Sequence, residues 1–236
     1  MIDLHTHVLP GIDDGASRSA ESIAMLKEEA SQGVRAVALT PHFYRDRETV
    51  ADFLAHRQAA YAHLLCRIEE LPPEEREALP ELKLGAEVTW MENCSKWEGL
   101  EQLCYEGTRY LLIEPPFITW NEAWFRDLQD LMNATGLTPV IAHLDRYLRD
   151  QKKSAIRELL SYGIPVQISA ESLLRLTTRR HALELLASGD VQLLISDCHD
   201  PKRRKPNIGD ALQVIAHRLG KEAAEKLAQN SEKIFA

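Results

Sequence analysis

The sequence lacks the features that mark several common functional classes. No apolar run approaches the ~20 residues needed to cross a bilayer, and the N-terminus lacks the basic and apolar regions of a signal peptide. There is no excess of positive charge: 28 Lys and Arg against 36 Asp and Glu give a net charge of −8. That balance argues against a general nucleic-acid binder and against attraction to anionic membranes. Cysteines are few, and Cys66, Cys94, Cys104 and Cys198 form no C-x-x-C pair, which suggests reduced thiols. A cytoplasmic protein is expected. No Pro/Gly/Ser-rich linker or break in composition divides the chain, so a single domain over residues 1–236 is expected.

What is present is a repeated pattern. Six stretches run apolar and stop at a residue able to bind a metal. The first is Met1-Ile2-Asp3-Leu4-His5-Thr6-His7, followed closely by Pro10-Gly11-Ile12-Asp13-Asp14-Gly15. The others end at His42, Glu87, Glu114, His143 and the pair Asp197 and His199. Including one near 165–168, strands are expected near 2–5, 36–40, 82–86, 110–114, 138–142, 165–168 and 191–196. Helical spacing falls between them, at 19–33, 48–70, 151–162, 172–188, 208–219 and 220–229, and Thr119-x-x-Glu122 fits a capping box opening a further helix. Strict alternation of strand and helix implies a parallel sheet with right-handed crossovers. The expected fold is α/β, a closed or nearly closed (β/α)7 barrel with its chemistry at the C-terminal ends of the strands. The 43–81 excursion, with Pro72-Pro73 and several acids, reads as a solvated helix pair.

The strand ends carry the chemistry. Of nine histidines, His5, His7, His42, His143 and His199 sit at or just after strand ends, whereas His56, His63, His181 and His217 lie in helical stretches and are assigned to packing or surface. His5 and His7, two apart on an extended segment, point to one face and can chelate a single ion. Asp14, Glu87, Glu114 and Asp197 join them. A carboxylate ending a buried strand needs a cation or a hydrogen-bonding partner, because burying it alone is expensive. This set of N and O donors, without a thiolate, suits two or three divalent ions such as Mn²⁺, Fe²⁺ or Zn²⁺, with Mg²⁺ a further option. Three such ions would leave residual positive charge over four carboxylates, favouring a phosphate dianion and a metal-bound hydroxide.

Arg146 follows His143 by three residues, and Arg204 lies in the run Lys202-Arg203-Arg204-Lys205 after His199. Guanidinium binds phosphate oxygens bidentately. Cys198-x5-Arg204 has the spacing of the cysteine-dependent tyrosine phosphatases, but an acid and a proline, Asp200 and Pro201, occupy what should be a glycine-rich amide cradle. Strand alternation turns Cys198 away from Asp197 and His199, so it is not expected to be a nucleophile. Tyr44, Trp90, Phe117, Trp120 and Tyr147 fall near the strand ends, where they can stack on a substrate ring or pack against helices.

These segments resemble the PHP superfamily of polymerases and histidinol phosphatases. More narrowly, they resemble the metal-dependent protein tyrosine phosphatases encoded with bacterial capsule and exopolysaccharide synthesis. The matching residues are Asp3-Leu4-His5-Thr6-His7 through Gly15, Thr40-Pro41-His42, Gly85-Ala86-Glu87, Ile113-Glu114, Ala142-His143 with Arg146-Tyr147, and Ser196-Asp197-Cys198-His199. The resemblance implies a distorted (β/α)7 barrel with three metal ions, often manganese. His5, His7, Glu87 and Asp197 would hold one ion. Glu87, Glu114 and His143 would hold a second, and Asp14, His42 and His199 the third. Arg146 and Arg204 match the phosphate-contacting arginines, although the local departures leave the second as Arg203 or Arg204. The implied substrate is phosphotyrosine on an autophosphorylating tyrosine kinase that controls polysaccharide export. Hydrolysis of a small phosphomonoester of the histidinol-phosphate type, an amidohydrolase-type reaction, and a non-catalytic regulator docking on a kinase are the alternatives.

Overall fold

The computed structural model describes residues 1–235. All seven expected strand regions form strands, and two are interrupted. They are β1 (Ile2–Thr6), β2 (Ala36–Leu39) resuming as β3 (His42–Phe43), β4 (Glu81–Leu84) resuming as β5 (Glu87–Thr89), β6 (Tyr110–Glu114), β7 (Thr138–Ile141), β8 (Gln167–Ser169) and β9 (Leu193–Ile195). The first break falls at Pro41, which has no N–H to give a neighbouring strand. Pairing crosses both gaps through Gly85 N to Leu39 O at 2.9 Å and Glu87 N to Pro41 O at 3.0 Å.

Every strand pair is parallel, in the orders β1-β2-β4, β3-β5-β6-β7 and β8-β9. Single bridges join Ile141 to Val166 and Thr6 to Cys198. Asp197 N also donates to His5 O at 3.0 Å, and His7 N to Cys198 O at 2.9 Å. The end of β1 therefore lies against the segment leaving β9. The expectation of an α/β fold built on parallel strands holds.

Apart from β4, which is partly exposed, the strands are buried on both faces, which is why they read as continuous apolar runs. Leu112, Val140, Leu193 and Ile195 belong to one apolar cluster with Ile2, Leu4, Ala36 and Ala38. Their neighbours Leu111, Ile113, Ile141 and Leu194 pack in a second, larger cluster that includes the helices' apolar side chains. That larger layer draws on α1 (Ser19–Ser31), α2 (Val50–Glu69), α4 (Glu122–Thr135), α5 (Lys153–Ser161), α6 (Ala170–Leu174), α7 (Leu176–Ser188), α8 (Ile208–Leu219) and α9 (Lys221–Lys233), while the short α3 (Pro73–Glu77) lies outside it.

Two local expectations are corrected. The helix α4 is capped by Asn121, whose side chain accepts from Ala123 N and Trp124 N, not by Thr119. Glu122 is then the first helical residue and cannot close a capping box. The expected helix at 172–188 starts at Ala170 and breaks at Arg175, whose φ −77° and ψ 126° are extended. The 43–81 excursion is the helix pair α2 and α3, with Glu69, Glu70, Glu74 and Glu77 exposed. Arg57 of α2 is an exception to that solvated character: its buried guanidinium donates to Gly85 O at 2.6 Å and ties the helix to the β4–β5 break. His56, His63, His181 and His217 are all exposed. Among the described residues no helix is long and apolar enough to cross a membrane.

Candidate metal centre

Nine side chains come together: His42 and Glu87 open β3 and β5 just past the strand breaks, Glu114 ends β6, and the rest come from the ends of β1, β7 and β9 and the segments that leave them. Glu87, first residue of β5, is at the middle. Its Oε2 lies 3.2 Å from His5 Nε2, 3.4 Å from His7 Nε2 and 2.9 Å from His42 Nδ1, while Oε1 lies 2.8 Å from His143 Nε2. His143 Nε2 is also 3.6 Å from Glu114 Oε1. Asp197 Oδ1 stands 3.7 Å from His5 Nε2 and 3.6 Å from His7 Nε2. Asp14 Oδ1, on an exposed loop, is 3.4 Å from His42 Nε2 and 3.5 Å from His199 Nε2.

Three groups of donor atoms each fall within 4.8 Å of one another: His7, Asp14, His42 and His199; His5, His7 and Glu87; and His42, Glu87 and Glu114. Ligands about 2.0–2.2 Å from a shared ion are separated by up to about 4.4 Å. His42 thus reaches toward Glu87 as well as Asp14, a link the sequence pattern did not suggest.

Several of these atoms have no other use. His42 Nδ1, Glu87 Oε2 and His199 Nε2 are buried without a hydrogen-bond partner among the described residues. Although His42 Nδ1 and Glu87 Oε2 are 2.9 Å apart, they are not aligned for a hydrogen bond. Each unsatisfied buried polar atom costs about 1–3 kcal/mol, and a divalent cation among them would remove that cost. The donor set and these orphaned lone pairs fit bound metal.

Residues behind the donors aim them. His5 Nδ1 is 2.9 Å from Gln167 Oε1 and His7 Nδ1 is 2.7 Å from Asp13 Oδ2, which leaves each Nε2 facing Glu87. His199 Nδ1 bonds Asp197 O at 3.0 Å, and Thr89 Oγ1 donates to Glu114 Oε2 at 2.8 Å. Such partners fix tautomer and ring orientation in metal sites. Sequence reading missed Asp13, Gln167 and Thr89 in this role. The visible signal for Gln167 is a polar residue inside the apolar run Val166-Gln167-Ile168. The Asp13 loop folds tightly over His7: a Cβ at Gly15 would lie 2.2 Å from His7 O, so only glycine fits. His143 and Asp197 have φ of +26° and +53°, two of three non-glycine residues with positive φ among those described. Such strain costs about 1–3 kcal/mol and concentrates at functional sites.

The charges are mutually dependent. Burial alone would push Glu87 up, but His5, His143 and His42 hold its carboxyl well below the usual range. Burial also opposes a proton on His7, yet Asp13 and Glu87 raise it to about 10. Burial and the neighbouring His7 pull His199 down to about 3, and burial with Glu87 pushes Glu114 up.

Arg146 Nη2 and Arg204 Nη2 both donate to Asp197 Oδ2, the latter at 2.8 Å. Arg203 makes no such contact; its backbone N–H bonds Asp200 Oδ1 at 2.7 Å as the loop turns. The register therefore places Arg204, of the two candidates, at the centre. Cys198 is fully buried on the opposite side, its thiol 3.8 Å from Glu29 Oε1 and pushed well up by burial and by Glu29. Of the five aromatics, Trp90, Trp120 and Tyr147 are buried in packing, whereas Phe117 is exposed and stacks on Tyr147, which stacks on His143. Tyr44 stands between, its ring 5.3 Å from that of His42.

The family model described as "Capsular polysaccharide synthesis, CpsB/CapC" matches residues 1–236. The chain belongs to the CpsB/CapC family. It is 29% identical to the tyrosine-protein phosphatase YwqE of Bacillus subtilis over 98% of this chain and 90% of that protein. Identity to the tyrosine-protein phosphatase CpsB of Streptococcus pneumoniae is also 29%, over 100% of this chain and 98% of that one. Among CpsB/CapC relatives of known structure, a crystal structure from work on YwqE and CpsB, described as metal-dependent tyrosine phosphatases, superposes with a TM-score of 0.84. It has 28% sequence identity and covers 99% of this chain and 94% of that one.

Proposed function

We propose that this chain is a metal-dependent protein tyrosine phosphatase, with His5, His7, Asp14, His42, Glu87, Glu114, His143, Asp197 and His199 holding three divalent ions, manganese the favoured one. The observation that carries the reading is the convergence of those nine donors beside two arginines sharing one carboxylate, in a CpsB/CapC chain. The strand order and the two bridges support one domain, a distorted (β/α)7 barrel of the PHP type. The four free cysteines suit a cytoplasmic enzyme. The family's tie to capsular polysaccharide supports an autophosphorylating tyrosine kinase of that system as substrate.

Bound ions would supply Lewis-acid charge and lower the pKa of a coordinated water. The remaining work falls to the chain itself. Gln167 and Asp13 hold His5 and His7 with Nε2 inward, and Glu87 belongs to two of the three donor groups. Arg146 and Arg204 place guanidinium groups where charge on the phosphoryl oxygens needs neutralising. Phe117 offers an exposed ring face beside the centre for the phenyl group. A phenol leaves with a pKa of about 10, so a bound ion, a guanidinium or water can assist it without a dedicated general acid.

The test is a metal-reconstituted comparison of a phosphotyrosyl peptide, a phosphoseryl peptide and histidinol phosphate. The phosphotyrosyl peptide should have the highest kcat/KM. An equal or higher value for histidinol phosphate would replace this reading with the small-molecule one.

A further inference from the structure

A cavity of about 340 Å³ opens beside the metal centre and extends away from it toward α6 and α7. Asp197, Arg146 and Arg204 form part of its wall, and Arg149, Arg175, Arg203 and Lys205 add four more cations. The acids in the wall are already engaged: Asp145 Oδ1 accepts from Ser169 N at 2.8 Å, and Glu171 pairs with Arg175 at 2.6 Å. Arg149, Arg203 and Lys205 form no ion pair among the described residues, in a chain whose net charge is −8. A local concentration of unpaired cations against an acidic background calls for an anion.

Two buried side chains of the same wall point to what carries that anion. Ser169 and Asn207 are only 5% and 6% exposed, and Ser169 Oγ and Asn207 Oδ1 lack a hydrogen-bond partner among the described residues. A hydroxyl donor suits an anion, and an amide oxygen suits the N–H of a peptide. The groove also continues, since a second cavity of about 450 Å³ shares Asp145, Arg149, Ser172 and Thr178 with the first. A free phosphate needs no such length; a polypeptide does.

We propose that this groove is a second anion subsite, binding a carboxylate or phosphate on a residue close in sequence to the phosphotyrosine. The inference rests on the protein-phosphatase reading and adds a preference for acidic or multiply phosphorylated segments. Arg149 and Lys205 are its specificity-determining residues.

The test uses the metal-reconstituted full chain and three phosphotyrosyl peptides of equal length, with alanine, glutamate or a second phosphotyrosine beside the scissile residue. Wild type is compared with the R149A/K205A double variant, and both are assayed on p-nitrophenyl phosphate as a check on folding and metal content. Both residues are exposed, so the fold should survive. An anionic neighbour should raise kcat/KM roughly 10-fold over the alanine peptide, mainly through KM, as expected for one or two partly exposed charged contacts. The ratio should fall toward one in the double variant and at high salt. A gain with glutamate shows that a carboxylate suffices, and a gain with phosphotyrosine alone assigns the subsite to phosphate. Equal kcat/KM for all three peptides, or a ratio unchanged in the variant, overturns the subsite and leaves the phosphatase reading standing. Turnover of p-nitrophenyl phosphate while none of the three peptides is hydrolysed overturns both.

Discussion

Asp13 Oδ2 lies 2.7 Å from His7 Nδ1 and accepts the backbone N–H of His42 at 3.1 Å, so one carboxylate oxygen orients donors from two strands. Its other oxygen accepts from Gly15 N at 2.9 Å and closes the loop over His7. His7 holds Asp13 below its ordinary range, at about 2 despite its burial. Asp13→Asn should lower metal affinity about 10–100-fold, the usual effect of losing a partner behind a ligand. Metal titration by calorimetry decides it; wild-type affinity in the variant would remove Asp13 from the site.

Metal removal should abolish phosphatase activity, and Mn²⁺ or a similar ion should restore it. The same experiment has a pH signature. His7 is raised from 6.5 to about 10 in the metal-free fold, so the native chain holds a proton that the unfolded chain releases. That stability is fully present below about pH 6.5 and is lost as pH rises toward 10. Asp3, pushed up to about 6 by burial, acts in the same sense between about 3.8 and 6. Because an ion must displace protons, metal affinity should rise with pH. Thermal melts of chelated protein across pH 6–10 that show no decline, or full activity after metal removal verified by elemental analysis, would contradict this.

Arg146→Ala and Arg204→Ala should each lower turnover roughly 10–1,000-fold, the range for losing one transition-state contact. Metal content should remain near wild type, since guanidinium is not a ligand. The loss should show in kcat as well as KM, because charge on the phosphoryl oxygens shifts during transfer. Arg203→Ala is the control for loop register and should leave p-nitrophenyl phosphate turnover within about threefold of wild type. An essential Arg203 beside a dispensable Arg204 would mean that the loop is out of register by one.

Cys198→Ser should keep most activity, while His5→Ala and Asp197→Ala lose nearly all of it. The thiol faces Glu29 and Asp3, away from the donors, and burial keeps it protonated. A trapped phosphocysteine, or an inactive Cys198→Ser protein with full metal content, would restore the thiolate mechanism.

Much of this organisation was legible in the sequence. Parallel strands buried on both faces are written as short apolar runs, so a histidine or acid at the end of one stands out and carries an energetic cost that needs explaining. Hence the seven strand regions, the positions of nearly all helices and the nine converging side chains could be named from order alone. Finer features were not, because they depend on distances between segments remote in the chain. Gln167 meets His5 across 162 positions, and nothing local to either announces the pair. Nothing in the helical spacing of 19–33 marks Glu29, yet α1 buries it against Asp3 and Cys198. Whether Arg203 or Arg204 reaches Asp197 was settled by how Asp200 turns its loop, with three backbone N–H groups on one carboxylate. Residue chemistry and strand periodicity are properties of the sequence; which donor faces which, and what lies behind it, follow only when the strands close against one another.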